Sequence, residues 1–362
     1  MSTVTQKAYQ WLDARLSISA WQAMAEKKTV PHHEFSVWYY MGGIALVLLM
    51  VQVATGGLLM VYYIPEIASA HASILKINTQ IDFGWFIRSL HSWGANLMIL
   101  GLFFHLFSTY FMKAYRAPRE ITWLTGLGLL VLCFAFGFTG YLLPWDEMAF
   151  FATKVGIDIT SKTPIIGEYM ATLFRGGPEV SQVTLSRFFV IHVFVLPASL
   201  LGLLGIHLLL VQLHGMSEPK VFRERPKEQQ SVEKFFPTFV LKDLMIWMLV
   251  LNVLAAAATL APWGLGPEAD PFAPAPAGIK PEWYFLAMFQ ILKMIPAYVG
   301  PIEGEHVGML LFGLVGALFA AIPFLDRHGE GKNHHLISEA AKWFGIVVLA
   351  GFIIFTIWGM LE

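Results

Sequence analysis

SLHSWGANLMILGLFFHLFSTYFM, residues 89–112, runs for 24 residues without an Asp, Glu, Lys or Arg. A helix rises ~1.5 Å per residue, so about 20 residues cross the hydrocarbon core of a bilayer. A charge at mid-bilayer costs ~2.5–3.5 kcal/mol on insertion scales, which keeps such runs clean. The stretch therefore reads as a membrane-crossing helix, and it carries two histidines, His91 and His105.

Six further uncharged runs surround it: Val37–Ile64, Ile121–Trp145, Phe188–Ser217, Leu244–Pro267, Val307–Leu325 and Trp343–Leu361. Backbone groups in lipid must pair within their own segment, so each run is expected to be helical. The whole chain agrees. Of 362 residues 56% are apolar and 14% charged, against about 25% charged in soluble domains; mean hydropathy is +0.61. A net charge of −1 offers no basic face for nucleic acid, and one cysteine, Cys133, excludes a disulfide scaffold. The expected fold is an all-α integral membrane protein of seven transmembrane helices.

Lys113, Arg116 and Arg119 follow the second run, six cations from Lys220 to Lys242 follow the fourth, and Arg327 and Lys332 follow the sixth. The opposite loops are poorer: Lys76 and Arg88 in the first, Lys154, Lys162, Arg175 and Arg187 in the longer third. The positive-inside rule then puts the N-terminus inside and the C-terminus outside. Residues 1–36 show no cleavable signal; Trp11, Leu12, Leu16, Ile18 and Trp21 suggest a short surface helix or an ordinary amphipathic segment. The expected organisation is a surface segment 1–36, a four-helix unit 37–217, a hydrophilic linker 218–243 and a three-helix unit 244–362. Residues 146–187 are long enough for helical pieces, and the proline-rich 262–281 reads as an irregular connection.

The fourth run holds His192 and His207, 15 apart, as His91 and His105 are 14 apart. Both spacings are close to four turns, so each pair shares a helix face, with members about 21–22 Å apart along the axis. Two facing helices would present paired imidazoles at two levels. A single buried histidine is as often a hydrogen-bonding residue, but four in matched levels suit bis-imidazole ligation of two b-type haems in the first four helices. Zinc wants four close ligands, which these levels do not offer. No Cys-x-x-Cys-His occurs, so no c-type attachment is expected. Gly42 and Gly56, and likewise Gly126 and Gly140, repeat at 14 residues, giving room for porphyrin edges or for close helix packing. Arg88 and Arg187 precede His91 and His192, placed to pair with haem propionates or to snorkel at the interface.

FGWFIRSLHSWGANLMILGLFFH (83–105), TGYLLPWDEMAF (139–150), SRFFVIH (186–192) and KPEWYFL (280–286) closely resemble cytochrome b of the quinol–cytochrome c oxidoreductases, from about residue 30 onward. The resemblance mixes two branches. The His192–His207 spacing and RAPREITWLTG (116–126) are similar to the photosynthetic cytochrome b6, with the separate four-helix and three-helix chains of that branch fused here. Tyr40 stands where that branch has the cysteine tethering an extra haem, so an extra covalent haem is not expected. Lys242–Asp243 resembles the mitochondrial inner quinone site, whose histidine aligns with Gln212, with His214 a nearby substitute.

The family resemblance implies a dihaem subunit of a bacterial inner membrane that works with a Rieske iron–sulfur protein and a cytochrome c, as a homodimer within lipid. It implies that Glu282 accepts a proton from quinol at an outer site, with Tyr284 in the same pocket. Phe138, Tyr141, Pro281 and Trp283 would wall that site, and Lys242, Asp243, His214 and Gln212 would form the inner one. From the residues alone Glu282 could equally cap a surface helix, and Lys242–Asp243 could be a solvated helix start. Two other classes stay in view: a dihaem membrane anchor of another quinone-linked enzyme, which lacks the Pro-Glu-Trp-Tyr segment, and a transporter, which haem content would separate.

Overall fold

Among the described residues, 3–327 and 332–362, the computed structural model contains seven helices long and apolar enough to cross a membrane. Each coincides with one of the seven uncharged runs. The N-terminal segment forms α1 (Thr3–Leu16), α2 (Ile18–Lys27), strand β1 (Thr29–Pro31) and a 3-10 turn over Ser36–Tyr40. The first three spans centre on α3 (Met41–Met60), α5 (Gly84–Phe111) and α6 (Glu120–Leu142), with α4 (Ile67–Gln80) between the first two. Helices α7 (Glu147–Ser161) and α8 (Gly167–Arg175) fill the long loop, and α9 (Gln182–Val190) continues through a π-helical turn, Ile191–Val195, into α10 (Leu196–His214). Then come α11 (Lys220–Arg223), β2 (Val232–Lys234), a π-helical turn over Phe235–Phe239 and α12 (Val240–Leu260). The chain closes with α13 (Trp283–Met294), strands β3 (Tyr298–Val299) and β4 (Ile302–Glu303), α14 (Gly304–Leu325) and α15 (Lys332–Leu361). The side chains of Trp21 and Lys332 lie outside the described residues.

Helix α3 lies along α5 and α6 lies along α10, while α12 packs on both α5 and α3. Val47, Leu48, Met98, Leu129, Cys133, Leu200 and Leu254 meet where these five helices converge, so Cys133 is a packing residue. The end of the molecule carrying His91 is called upper below, and the end carrying His105 lower. Trp145, Phe150, Ile157, Leu185 and Phe188 form the upper core, and Tyr110, Tyr115, Trp123 and Phe319 the lower one.

Several helices extend past the charges that bound the uncharged runs, α5 and α12 among them. Helix α5 begins at Gly84, so Arg88 is inside it rather than ahead of it; the fifth span begins at Phe235, so Lys242 and Asp243 lie within its first turns. Charged groups near a helix end can reach partners along their own stems, so a charge bounds the apolar run without ending the helix. Residues 232–234 are also not plain linker: Thr29, Val30 and Pro31 pair antiparallel with Lys234, Glu233 and Val232. His334 and His335 are in the first turns of α15. His33 is buried, its Nε2 2.8 Å from the Tyr39 hydroxyl.

The proline-rich connection is irregular but pinned. Arg88 Nη1 and Nη2 donate to the carbonyls of Trp263 and Gly264, each at 2.8 Å. The Trp263 amide donates to Ser89 Oγ at 2.9 Å, and Trp93 Nε1 donates to the Ala261 carbonyl at 2.8 Å. The Glu147 amide reaches the Pro267 carbonyl at 2.9 Å, and the Ala269 amide the Trp145 carbonyl at 3.1 Å. One face of α5 thus fixes the connection above the span that carries His91.

Candidate functional site

Helices α5 and α10 bring the histidines together in two pairs. The rings of His91 and His192 lie 6.4 Å apart, centre to centre, with planes inclined at 68°. Two imidazoles each ~2 Å from one metal would have ring centres about 6 Å apart, so this gap fits an iron between them. At the lower level His207 stands within electrostatic reach of His105. No cluster of three or more His, Cys, Asp or Glu able to hold a metal ion occurs among the described residues. Only two-ligand chemistry is offered at each level.

Each of the four glycines lies against one of the histidine rings. A Cβ on Gly42 would stand 3.3 Å from His105 Cε1, and one on Gly56 3.2 Å from His91 Cε1. On α6 the corresponding distances are 3.3 Å from Gly126 to His207 Cε1 and 2.6 Å from Gly140 to His192 Cε1. Each glycine is the floor under one imidazole: α3 backs the α5 histidines and α6 backs the α10 histidines. At Gly140 a Cβ would collide with the ring, and at the other three it would be in tight contact that the ring could relieve only by shifting.

Three threonines fix the rings, and the sequence reading missed them. Thr55 Oγ1 lies 2.9 Å from His91 Nδ1, Thr125 Oγ1 3.0 Å from His207 Nδ1, and Thr139 Oγ1 3.1 Å from His192 Nδ1. Each hydroxyl donates its own proton to a carbonyl one turn back: Val51 at 2.6 Å, Thr122 at 2.8 Å and Ala135 at 2.7 Å. The oxygen can then only accept from the ring, so Nδ1 carries the proton and Nε2 keeps its lone pair free for a metal. The signal lay in the dipeptides: each threonine immediately precedes one of the glycines. His192 also sits in the π-helical turn, a local widening common at functional sites.

Arg88 is buried and holds the connection through the two carbonyls above, contacts that spacing could not show. Arg187 Nη1 donates to the carbonyls of Thr172 and Leu173 at 3.1 and 2.5 Å, closing the end of α8.

Near the upper level an open cavity of about 450 Å³ is lined by Trp93, Asn96, Leu97, Leu100, Tyr141, Trp263, Pro281, Glu282 and Trp283. Glu282 stands at the N-terminus of α13 without capping it. Burial pushes its carboxyl pKa above the ordinary range. Trp283 is held by its Nε1 donating to Asn96 Oδ1 at 2.7 Å. Tyr284 is behind the cavity wall: buried, its ring stacked on Phe134 at 6.1 Å and its hydroxyl against Gly137. Burial first, then the neighbouring Glu282, keeps that phenol protonated well above its ordinary range. Phe138 is not brought to the cavity. It packs on Phe188 at 5.5 Å and Phe174 at 6.4 Å, because that face of α6 closes the upper core.

At the lower end the expected residues separate. Lys242 is ion-paired to Glu233 on β2. Asp243 lies against Gly43 with Oδ1 buried and unpartnered, and His214 Nδ1 is likewise buried without a partner. Gln212 accepts a hydrogen bond from Lys28, a residue the sequence reading passed over. Lys28 also lies over the Phe235 ring at 4.9 Å, and Phe235 stacks on Phe239, which stacks on Tyr40. Burial lowers the Lys28 pKa.

The comparisons with known proteins join this geometry. Residues 26–215 match the family model described as cytochrome b/b6/petB, more than half of the chain, and residues 268–362 match cytochrome b(C-terminal)/b6/petD. The chain belongs to the cytochrome b/b6 family. Both of its domains are present in one chain, and a cytochrome b is a b-type haem protein. The cytochrome bc complex cytochrome b subunit of Chlorobaculum thiosulfatiphilum is 45% identical over 91% of this chain and 75% of its own. The menaquinol:cytochrome c reductase cytochrome b subunit of Geobacillus thermodenitrificans is 42% identical over 59% of this chain and 98% of its own. A chain of a hyperthermophilic respiratory Complex III superposes with a TM-score of 0.76 at 26% identity, covering 98% of this cytochrome b and 99% of that chain.

Proposed function

We propose that this cytochrome b is the dihaem subunit of a quinol:cytochrome c oxidoreductase, with the upper end on the outer face of a bacterial inner membrane. The observation that carries the reading is the pair of imidazoles at each level, three of the four rings locked by threonine with Nε2 left free. The names of the relatives point to the same activity. In this reading residues 37–217 form the haem-binding four-helix unit, 218–243 the inner linker and 244–362 the unit that brings Glu282 to the quinol.

His91 and His192 would hold one non-covalent haem and His105 and His207 the other. When bound, the haems supply one-electron carriers at two depths. Glu282 accepts a proton from a quinol hydroxyl in the cavity, a step suited to a carboxylate whose pKa is raised by burial. Tyr141 and Trp283 border the ring, and Tyr284 supports the wall behind them. Removal of two electrons and two protons leaves quinone. One electron would leave for a Rieske iron–sulfur protein and on to a cytochrome c; the other would be taken by the carriers that His91 and His192, and His105 and His207, would hold. At the lower end Asp243 and His214, each with one buried polar atom left without a hydrogen bond, and the half-buried Lys28 are placed to deliver protons to a second quinone. Protons taken up inside and released outside would give translocation, with the complex assembled as a homodimer.

A pyridine haemochrome assay of the purified chain, with a haem-stained denaturing gel, tests the reading. Two extractable b haems per chain with no haem left on the band support it, and absence of haem overturns it.

A further inference from the structure

We propose that the residue preceding each glycine sets how strongly a haem-ligating imidazole is supported, and that Met41 makes His105 the one unsupported ligand and so raises the potential of the lower haem. The inference rests on the dihaem reading above. Thr55, Thr139 and Thr125 precede Gly56, Gly140 and Gly126, and each holds the Nδ1 of the ring lying on its glycine. At the fourth position Met41 precedes Gly42, and His105 lies on Gly42 in the same way. A thioether is a poor acceptor for N–H. His105 Nδ1 is accordingly buried with no hydrogen-bond partner, alone among the four rings in that respect.

A hydrogen bond accepted from Nδ1–H makes the imidazole a more basic ligand, which favours the more highly charged, oxidised iron. Both upper ligands have that support; the lower pair has it on His207 only. The asymmetry therefore tips the lower level toward the reduced state. The threonines are positioning residues, and Met41 is the position at which this chain withholds the bond.

The test is a redox titration of each haem in the intact complex, with haem content measured alongside. Met41→Thr should keep two haems and lower the midpoint of the lower haem alone, by about a tenfold change in reduced-to-oxidised ratio at fixed poise, or about 59 mV for one electron. Thr55→Val should raise the midpoint of the upper haem alone. Met41→Leu, which supplies no acceptor, should leave both at their original values. Two bound haems with unmoved midpoints in Met41→Thr and Thr55→Val would overturn the inference while leaving the dihaem reading standing. An equal shift in Met41→Leu and Met41→Thr would also overturn it, since packing would then be the cause. A chain without haem removes both.

Discussion

At the residue scale, Glu282 and Lys28 show what burial does to a titratable group. The Glu282 carboxyl borders an apolar cavity and its pKa is raised by desolvation. Only the deprotonated form accepts a proton, so quinol oxidation should rise with pH through that raised value and level off above it. Glu282→Gln should abolish this limb and slow steady-state quinol oxidation by roughly 10²–10⁴-fold, the usual contribution of a general base, with haem content unchanged. Unaltered kinetics would remove the residue from the chemistry. At the lower end two lysines compete for the role that the resemblance gives to Lys242. Lys242 is ion-paired to Glu233, whereas Lys28 reaches Gln212 and is partly desolvated. Lys28→Met should therefore slow re-oxidation of the lower haem by quinone more than Lys242→Met does, in flash-induced kinetics of the holo complex. The opposite order would return the role to Lys242.

At the scale of elements, the glycine helices act as floors for the histidine helices, and the tightest floor gives the sharpest outcome. A Cβ at Gly140 would stand 2.6 Å from His192 Cε1, so Gly140→Val should displace the ring and lose the upper haem while the lower one remains in the spectrum. Loss of the lower haem instead would mean the pairing is wrong. The 14-residue repeat of glycines and the 14- and 15-residue repeats of histidines were legible because helical periodicity turns spacing directly into a shared face. Helix ends were not. Arg88 and Asp243 ended the charge-free runs, yet both lie inside helices, because a charged group finds partners or a stem's length of reach that composition does not record. The threonine supports were present as Thr-Gly dipeptides, but nothing in one sequence says that a hydroxyl faces a ring on another helix. Phe138 misled for a related reason: it is near the right end of α6 but on the face that closes the upper core.

At the scale of the whole molecule, the question is what holds the three-helix half against the four-helix half, since the connection between them is an exposed, charged stretch. The lower end answers it. Asp326, at the end of α14 and nearly inaccessible, accepts from Tyr115 Oη at 2.6 Å and from Arg116 Nη2 at 2.6 Å, with Lys113 Nζ at 3.5 Å. Trp123 Nε1 donates to the Phe319 carbonyl at 2.7 Å, and Tyr110 Oη to the Ala341 carbonyl at 2.5 Å. Five side chains from the turn between α5 and α6 and from those two helices thus engage α14 and α15. Burial alone would raise the Asp326 pKa, but the bonds from Arg116 and Tyr115 and the charge of Lys113 outweigh it and hold the carboxyl below its ordinary value. A depressed folded-state pKa contributes stability above the unfolded value of ~3.9 and loses it as pH falls through the folded one. The latch should therefore be intact at neutral pH and weaken only in acid. Breaking one partner of such a buried pair costs about 3–5 kcal/mol. With a protease site inserted between Glu224 and Gln230, the cleaved wild-type halves should co-purify at pH 7. The same cleaved chain carrying Asp326→Ala should separate under milder detergent, and co-purification as firm as wild type would place the main attachment elsewhere, in the α12 contacts with α3 and α5.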